Sequence, residues 1–337
     1  MIKKQLIIGI LIFLFSLATV FAGRLDLVKK RGVLHCGVNQ NIPGFGFLDS
    51  KGQFVGFDVD FCRAVSAAVF SDPEKVKFVS LSASQRFTAI QSGEIDILSR
   101  NTTWTASRDG SVGVDFTVTT FYDGQGVLIK KDLGVKKINE LEGATICAIS
   151  GTTTEKNITD FFEKMRIKFR LLTFGDADGV MSALRADRCD AVTSDKSQLL
   201  ARQFAEKQPE KYAILEETIS KEPLGPVVPS NDSQWRDVVS WTIYGMIVAE
   251  EFGINKNNID SFLKNKDPRI QRLLGITGNL GEGLGLKNDF VYQVVKKVGN
   301  YSDLFDFNLG VKSKFRMLRG LNSQWSKGGL LYAPPFR

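Results

Sequence analysis

Residues 93–108, GEIDILSRNTTWTASR, set a short apolar run against hydroxyl and amide side chains and end on an arginine. Asn101, Thr102, Thr103 and Thr105 supply an amide, hydroxyls and loop backbone N–H groups. Arg108 supplies the planar fork that grips a carboxylate through two parallel charge-assisted hydrogen bonds. That set suits a small polar ligand carrying a carboxylate. The same residues have a second use, as an N-cap cluster at Thr105 or Ser107 followed by a solvated arginine, and the loop alone does not choose between them. Elsewhere, no GxSxG, HExxH or P-loop string occurs. The one histidine, His35, sits beside Cys36 in an apolar run and reads as structural, no spacing brings two carboxylates together, and no catalytic residue is assigned.

The elements that must position this loop alternate in kind. Ile95, Ile97 and Leu98 form a brief buried strand feeding it; residues 33–38 and 76–81 are the strands before, and residues 84–92 a helix carrying Arg86. Between them, a Gly- and Pro-rich loop presents Phe45 and Phe47, and FVGFDVDFCRAVSAAVF runs a strand into an amphipathic helix. Flanking glycines suit either a hydrophobic plug or a close backbone approach to a ligand. After residue 122 the outline repeats: VLIK as a strand, INELEG as a helix, ATICAISGTTTEKNITDFF as strand, turn and helix, RLLTF as a strand, a helix over residues 177–186, and CDAVTSD as a strand ending at Asp195. Strand and helix alternation implies mostly parallel sheets with ligands at the carboxyl ends of their strands. KEPLGPVVP holds three of nine prolines and reads as a return crossing, and a long helix with a buried stripe follows from Asp232. The glycines of GEGLGLK follow no strong strand, so they do not form a nucleotide loop.

Lys3 and Lys4 precede an uncharged apolar run over residues 6–21, with Val20 and Ala22 placed for cleavage after Ala22: a secretory signal peptide. A retained membrane anchor is the competing use of that run, which is short for a span. Without residues 1–22 the formal net charge falls from +7 to +5. Lys and Arg are interspersed with Asp and Glu, with no basic block carrying interleaved aromatics, so nucleic acid is not expected as a partner. Four cysteines in an exported chain indicate disulfides rather than zinc, and no metal or cofactor is expected. Of three possible pairings, the separation into an early and a late couple favours Cys36 with Cys62 and Cys147 with Cys189.

Taken together, GVNQNIPGFGF, GFDVDFCRAVSAAVF, SGEIDILSRNTTWTASRD, ATICAISGTTTE, RCDAVTSD, EPLGPVV and the tail GGLLYAPPFR resemble the periplasmic solute-binding proteins of polar and general L-amino-acid ABC transporters, solute-binding family 3. The resemblance implies an α/β, two-lobed, type II periplasmic-binding-protein fold: each lobe a mostly parallel sheet flanked by helices, the two joined by two crossovers. Lobe 1 would comprise residues 23–122 with 225–337, including a C-terminal extension of unassigned role, and lobe 2 residues 123–224. The family's carboxylate-gripping arginine falls on Arg108, its hydroxyl-loop positions on Asn101 and Thr103, and its Gly-Thr-Thr turn on Gly151, Thr152 and Thr153. Its ammonium-receiving aspartate falls on Asp195, and the aromatic covering the ligand on Phe45 or Phe47. Asn101 stands where many relatives have serine, with Arg100 before it. Arg86 stands where binders of acidic amino acids place an arginine, and a structural role is the alternative. The implied function is capture of an L-amino acid between the lobes and delivery to the permease of an ABC transporter, by a periplasmic monomer that is not an enzyme. A cyclohexadienyl or arogenate-type dehydratase and a ligand-sensing module are the alternatives on the same fold.

Overall fold

The structure, a computed structural model, describes residues 23–337, so the expected signal peptide, residues 1–22, lies outside the described residues. Helix α1 (Arg24–Arg31) stops at Gly32, whose φ of 75° closes the last turn without a Cβ penalty. Strand β1 (Leu34–Val38) leads to a small hairpin sheet of β2 (Asn41–Ile42), β3 (Gly46–Leu48) and β4 (Phe54–Val55). Helix α2 (Phe57–Phe70) follows with both of its faces covered. Next come β5 (Val76–Ser80), α3 (Arg86–Gln91), β6 (Ile97–Leu98), α4 (Ala106–Ser111) and β7 (Val114–Phe116).

A crossing strand, β8 (Phe121–Asp123), carries the chain into a second set: β9 (Gln125–Lys130), β10 (Thr145–Ile149), α5 (Thr153–Met165), β11 (Arg170–Phe174), α6 (Ala177–Arg185), β12 (Ala191–Asp195), α7 (Lys196–Ala205) and β13 (Tyr212–Ile214). It returns through β14 (Glu222–Leu224), which pairs antiparallel with β8, and β15 (Val227–Pro229), which enters the first sheet. The helices α8 (Ser233–Glu251), α9 (Pro268–Leu273), α10 (Leu280–Gly283), α11 (Phe290–Lys297) and α12 (Tyr301–Asn308) complete the chain.

The sheets have orders β5-β1-β6-β15-β7 and β11-β10-β12-β9-β13. In each, the fourth strand alone runs antiparallel, and it is the strand that has just come through a crossing. The mostly parallel α/β architecture expected from the alternation is present twice, with β6 and β12 in equivalent places. One expected element is shorter. INELEG makes a single 3-10 turn, Ile138–Glu140, because the residues before Gly143 are too few to repay helix nucleation once Glu217 has taken the Ile138 N–H.

The first core is fixed around two buried groups. Trp235 of α8 is wholly buried and its Nε1 donates to the Asp96 carbonyl at 2.8 Å. The buried Asp96 carboxylate in turn accepts from the His35 N–H at 2.8 Å and pairs with Arg24 and Arg31, tying α1, β1 and β6 together. His35 is thus a residue of this structural knot, at the opposite end of β1 from the residues that follow Val38. Cys36 of β1 is bonded to Cys62 of α2 and Cys147 of β10 to Cys189, with Cα atoms 6.3 and 5.9 Å apart, so each sheet carries one cross-link, in the expected pairing. Replacing both Cys36 and Cys62 by alanine frees a loop of 26 residues and should lower the unfolding free energy by about 3.5 kcal/mol on the loop-entropy model. Urea denaturation measures this, and a loss well under 1 kcal/mol would show that the cross-link does not restrict the unfolded chain.

Candidate functional site

Between the carboxyl ends of the two sheets lies a small cavity, bounded on one side by Arg86, Arg100, Asn101, Thr103 and Arg108 and on the other by Thr152, Thr153 and Asp195. Seven of the nine ligand residues expected from sequence line it.

On the first side, β6 ends and the chain turns sharply at Asn101, whose φ of 41° is left-handed, a conformation asparagine tolerates better than most residues. Two contacts fix this turn: the Asn101 N–H donates to Asp58 Oδ2 at 2.8 Å and its Oδ1 accepts from Asn39 Nδ2 at 2.9 Å, while its buried Nδ2 has no partner. The loop is also stitched to the return crossing, through Trp104 N–H to the Pro223 carbonyl at 2.8 Å and Gly225 N–H to the Thr102 carbonyl at 3.1 Å. Thr105 caps α4, accepting from the Arg108 N–H at 3.3 Å, so the capping role weighed for this loop is present. The cap sets the backbone that aims Arg108 inward, and Arg108 is buried rather than solvated.

Arg108 Nη1 donates to the Thr103 carbonyl at 2.8 Å, and its guanidinium lies 5.4 Å from the centre of the Phe87 ring. Arg86 stands 5.0 Å from the same ring. Two cations therefore share one aromatic ring. Burial, and after it Arg108 and Arg100, push the Arg86 pKa well below the ordinary arginine value, while its Nε has no partner. Arg100 is lowered to about 10, chiefly by burial. No carboxylate forms an ion pair with Arg86, Arg100 or Arg108 among the described residues, so this wall has cationic character without a matched anion.

The second side is built from helix starts. Thr152 caps α5, accepting from the Glu155 N–H at 3.3 Å, and Gly151, at φ 74°, donates its N–H to Glu155 Oε2 at 2.8 Å. Thr153 is the first residue of α5, where N–H groups have no intrahelical carbonyl and the dipole favours an anion. Asp195 ends β12 and is buried, with the Gln198 amide donating to it. Burial first, then Asp123 and Glu222, raise its pKa well above the usual carboxylate range. This wall presents a carboxyl group to the cavity without an ion-paired cation of its own. The two sides touch through Thr103 Oγ1 and Thr153 Oγ1 at 3.3 Å and Arg86 Nη2 to the Gly151 carbonyl at 3.5 Å. Arg202 reinforces the contact: it pairs with Asp178 at 2.7 Å and donates to the Asn41 carbonyl.

The model of family 3 of the bacterial extracellular solute-binding proteins matches residues 34–253. The chain belongs to that family. Over 332 residues it is 47% identical to the general L-amino acid-binding periplasmic protein AapJ of Rhizobium johnstonii, covering 98% of this chain and 97% of that one. Over 317 residues it is 45% identical to the glutamate/glutamine/aspartate/asparagine-binding protein BztA of Rhodobacter capsulatus, covering 94% of each. Among solved structures it is similar to an ABC transporter/periplasmic binding protein from Brucella ovis with glutathione bound, at a TM-score of 0.91 and 46% identity, covering 94% of this chain and 100% of that one.

Two placements in this family 3 protein differ from expectation. Phe45 does not reach the cavity: it is wholly buried, with its ring 5.3 Å from Phe121 and 6.3 Å from Phe57, so it is the hydrophobic plug and not the ligand cover. The cause is Gly56, at φ 132°, where a Cβ would stand 2.3 Å from the Phe45 carbonyl oxygen; this close approach folds the loop back on the core. Phe47 is half-buried in β3, paired with Asn41 and Val55, and is not among the lining residues, whereas Asn39 and Ile42 are. Sequence reasoning also missed Glu222. It lies buried in the return crossing, where its carboxylate accepts from Thr153 Oγ1 at 2.9 Å, Asn157 Nδ2 at 2.7 Å and Ser220 Oγ at 2.5 Å. A lone glutamate in a Pro-rich run was the available signal. Its meaning depends on the β8 to β14 pairing, which sets it opposite Asp123.

Burial of Asp58 beneath the Asn101 turn raises its pKa to about 7, and burial of Asp123 raises that group to about 6. Unfolded aspartates titrate near 4. Below about pH 4 both states carry these protons. Between about 4 and 7 the unfolded chain has released them while the folded one retains them, so stability falls as pH rises through that window. Asp58→Asn, whose amide oxygen still accepts the Asn101 N–H, should flatten this slope in urea titrations of the ligand-free protein. An unchanged slope would show that Asp58 does not carry it.

Proposed function

We propose that this protein is an extracytoplasmic binding protein that captures L-amino acids between two lobes and passes them to the permease of an ABC transporter, without catalysing a reaction. In this reading lobe 1 is residues 23–122 with 225–337, lobe 2 is residues 123–224, residues 1–22 are an export signal, and the protein works in the periplasm as a monomer. The observation that carries it is the pair of unmatched walls: guanidinium groups without an ion-pair partner on one side of the cavity and a desolvated carboxyl group on the other. An α-amino acid bears the complementary charges on adjacent atoms. Its carboxylate goes to Arg108, the Thr103 hydroxyl and the Thr153 N–H, while its ammonium goes to Asp195 and the Asn101–Thr103 loop. Thr152 holds the turn. Ligand bridging both lobes favours the closed arrangement over an open one.

Arg86 belongs to the side-chain end of the ligand. Its free Nε, beside two other cations, calls for an anion beyond the α-carboxylate, which Glu and Asp supply. Glutathione, bound in the Brucella ovis relative, presents the same α-amino and α-carboxylate groups on its γ-glutamyl end and a second carboxylate at the other, so it is a second ligand on the same clamp.

Isothermal calorimetry with alanine, glutamine, glutamate and glutathione tests the assignment. Removing one partner of a desolvated charge contact costs about 2 to 5 kcal/mol, roughly 30-fold to several thousand-fold in affinity. Arg108→Ala should weaken every ligand by such a factor, and wild-type affinity for alanine in that variant would sink the clamp. Arg86→Ala should weaken glutamate and glutathione and leave alanine and glutamine nearly unchanged; equal losses for all four would make it structural. Turnover of a cyclohexadienyl substrate by the purified protein would displace the binding-protein reading.

A second measurement reads closure. Small-angle scattering should give a smaller radius of gyration with glutamate bound than without. An unchanged radius despite tight binding would count against a two-lobe trap.

A further inference from the structure

The even mixing of charges expected for the whole chain fails at its C-terminal end. Residues 310–337 contain six Lys and Arg and no Asp or Glu, against a net charge of +5 for all of residues 23–337. The same segment exposes large apolar side chains: Leu318 is 90% exposed and Tyr332 67%, with Leu321, Trp325 and Leu330 each about half exposed. It lies beyond the part of the chain that the family model matches, residues 34–253.

This exposure does not come from a loose tail. Phe315, Met317, Leu331 and Phe336 are buried and hold the segment to the core. Asn322 hydrogen-bonds both backbone groups of Tyr122, at 2.7 and 3.1 Å. Burial alternates along residues 314–318, so Lys314, Arg316 and Leu318 all face solvent while Phe315 and Met317 face in. The apolar groups are neighbours: the Leu330 N–H donates to the Leu321 carbonyl at 2.8 Å, and the Trp325 and Tyr332 rings are 5.6 Å apart. Of the cations, only Arg319 forms an ion pair among the described residues, with Glu250 at 3.2 Å. Two other nearby carboxylates, Asp306 on α12 and Glu251 of α8 beside Trp325, are half-buried.

We propose that residues 310–337 form a peripheral attachment surface for anionic phospholipid membranes. Exposed Leu, Trp and Tyr set among unpaired Lys and Arg match the two layers of a bilayer interface: acyl boundary for the apolar tips, anionic headgroups for the cations. No helix of the described residues is long and apolar enough to cross a membrane, so the attachment is peripheral and reversible. The inference does not depend on which ligand the cleft holds.

Co-sedimentation of residues 23–337 with phosphatidylcholine vesicles, with and without phosphatidylglycerol, is the test. Binding should require the anionic lipid and weaken as salt is raised, since these charges are exposed. Each cation at such a surface contributes roughly fivefold in affinity, so changing Lys312, Lys314, Arg316 and Lys327 together to Gln should cost about several hundred-fold. Leu318→Ser with Leu321→Ser should also release the protein while leaving amino-acid affinity and melting temperature unchanged, which separates lost attachment from lost folding. Absence of binding to anionic vesicles overturns the proposal, as does undiminished binding by the glutamine variant. Equal retention on a DNA duplex, insensitive to the serine changes, would mark mere charge and overturn it too. So would a transport defect in the variants without any vesicle binding, which would point to a protein partner instead.

Discussion

Everything in this molecule turns on charges kept out of water without a partner of their own. Arg86 and Arg108 crowd one phenylalanine ring, while Asp195 sits buried on the opposite wall, hydrogen-bonded by an amide, with Asp123 and Glu222 close by and no ion-pair partner. Desolvating unpaired ions is costly, and a fold carries that cost only where something else supplies the counter-charge. In the two-wall arrangement the missing counter-charges are zwitterionic in sum. The scaffold must therefore be stiff on each side, so that neither wall relaxes by folding its charge onto itself, yet adjustable between sides.

Stiffness comes from the manner in which each wall is built. The Asn101 turn is held by Asp58 and Asn39 and stitched to the return crossing, and the Thr153 turn is held by its own cap and by Glu222. Both walls thus lean on the same narrow ribbon, the β8 and β14 pair, which is also the only strand-to-strand connection between the two sheets among the described residues. Glu222 does double duty there, opposite Asp123 on one strand and bonded to Thr153 on α5. Any change in the ribbon's geometry reaches both walls.

Much of this was legible in sequence because it is encoded locally. RLLTF and the strand ending at Asp195 are short apolar runs with clear boundaries, and the glycine stop after α1 and the Thr105 cap are single-residue signals. The repeated strand and helix order led to two equivalent sheets, and with it to the facing placement of Arg108 and Asp195. What was not legible depends on pairings between distant segments. Phe45 turned inward because Gly56, eleven positions later, allows a backbone approach that no periodicity announces. Glu222 gains its role only when β14 lies on β8. The charge asymmetry of residues 310–337 was open to reading but was masked by averaging over the whole chain; only the solvent exposure of its leucines and aromatics gives it weight.

The contact between Asn322 and Tyr122 bears on a different hazard. Tyr122 lies opposite Pro223, which has no N–H to offer, and a two-stranded ribbon leaves its outer backbone groups unclaimed. Such an edge is a template on which a foreign strand can add, the first step toward aggregation. The Asn322 side chain imitates one residue of a neighbouring strand, accepting from the Tyr122 N–H and donating to its carbonyl, and so closes the template with a single amide. The C-terminal segment thereby covers the open edge of the connecting ribbon at Tyr122.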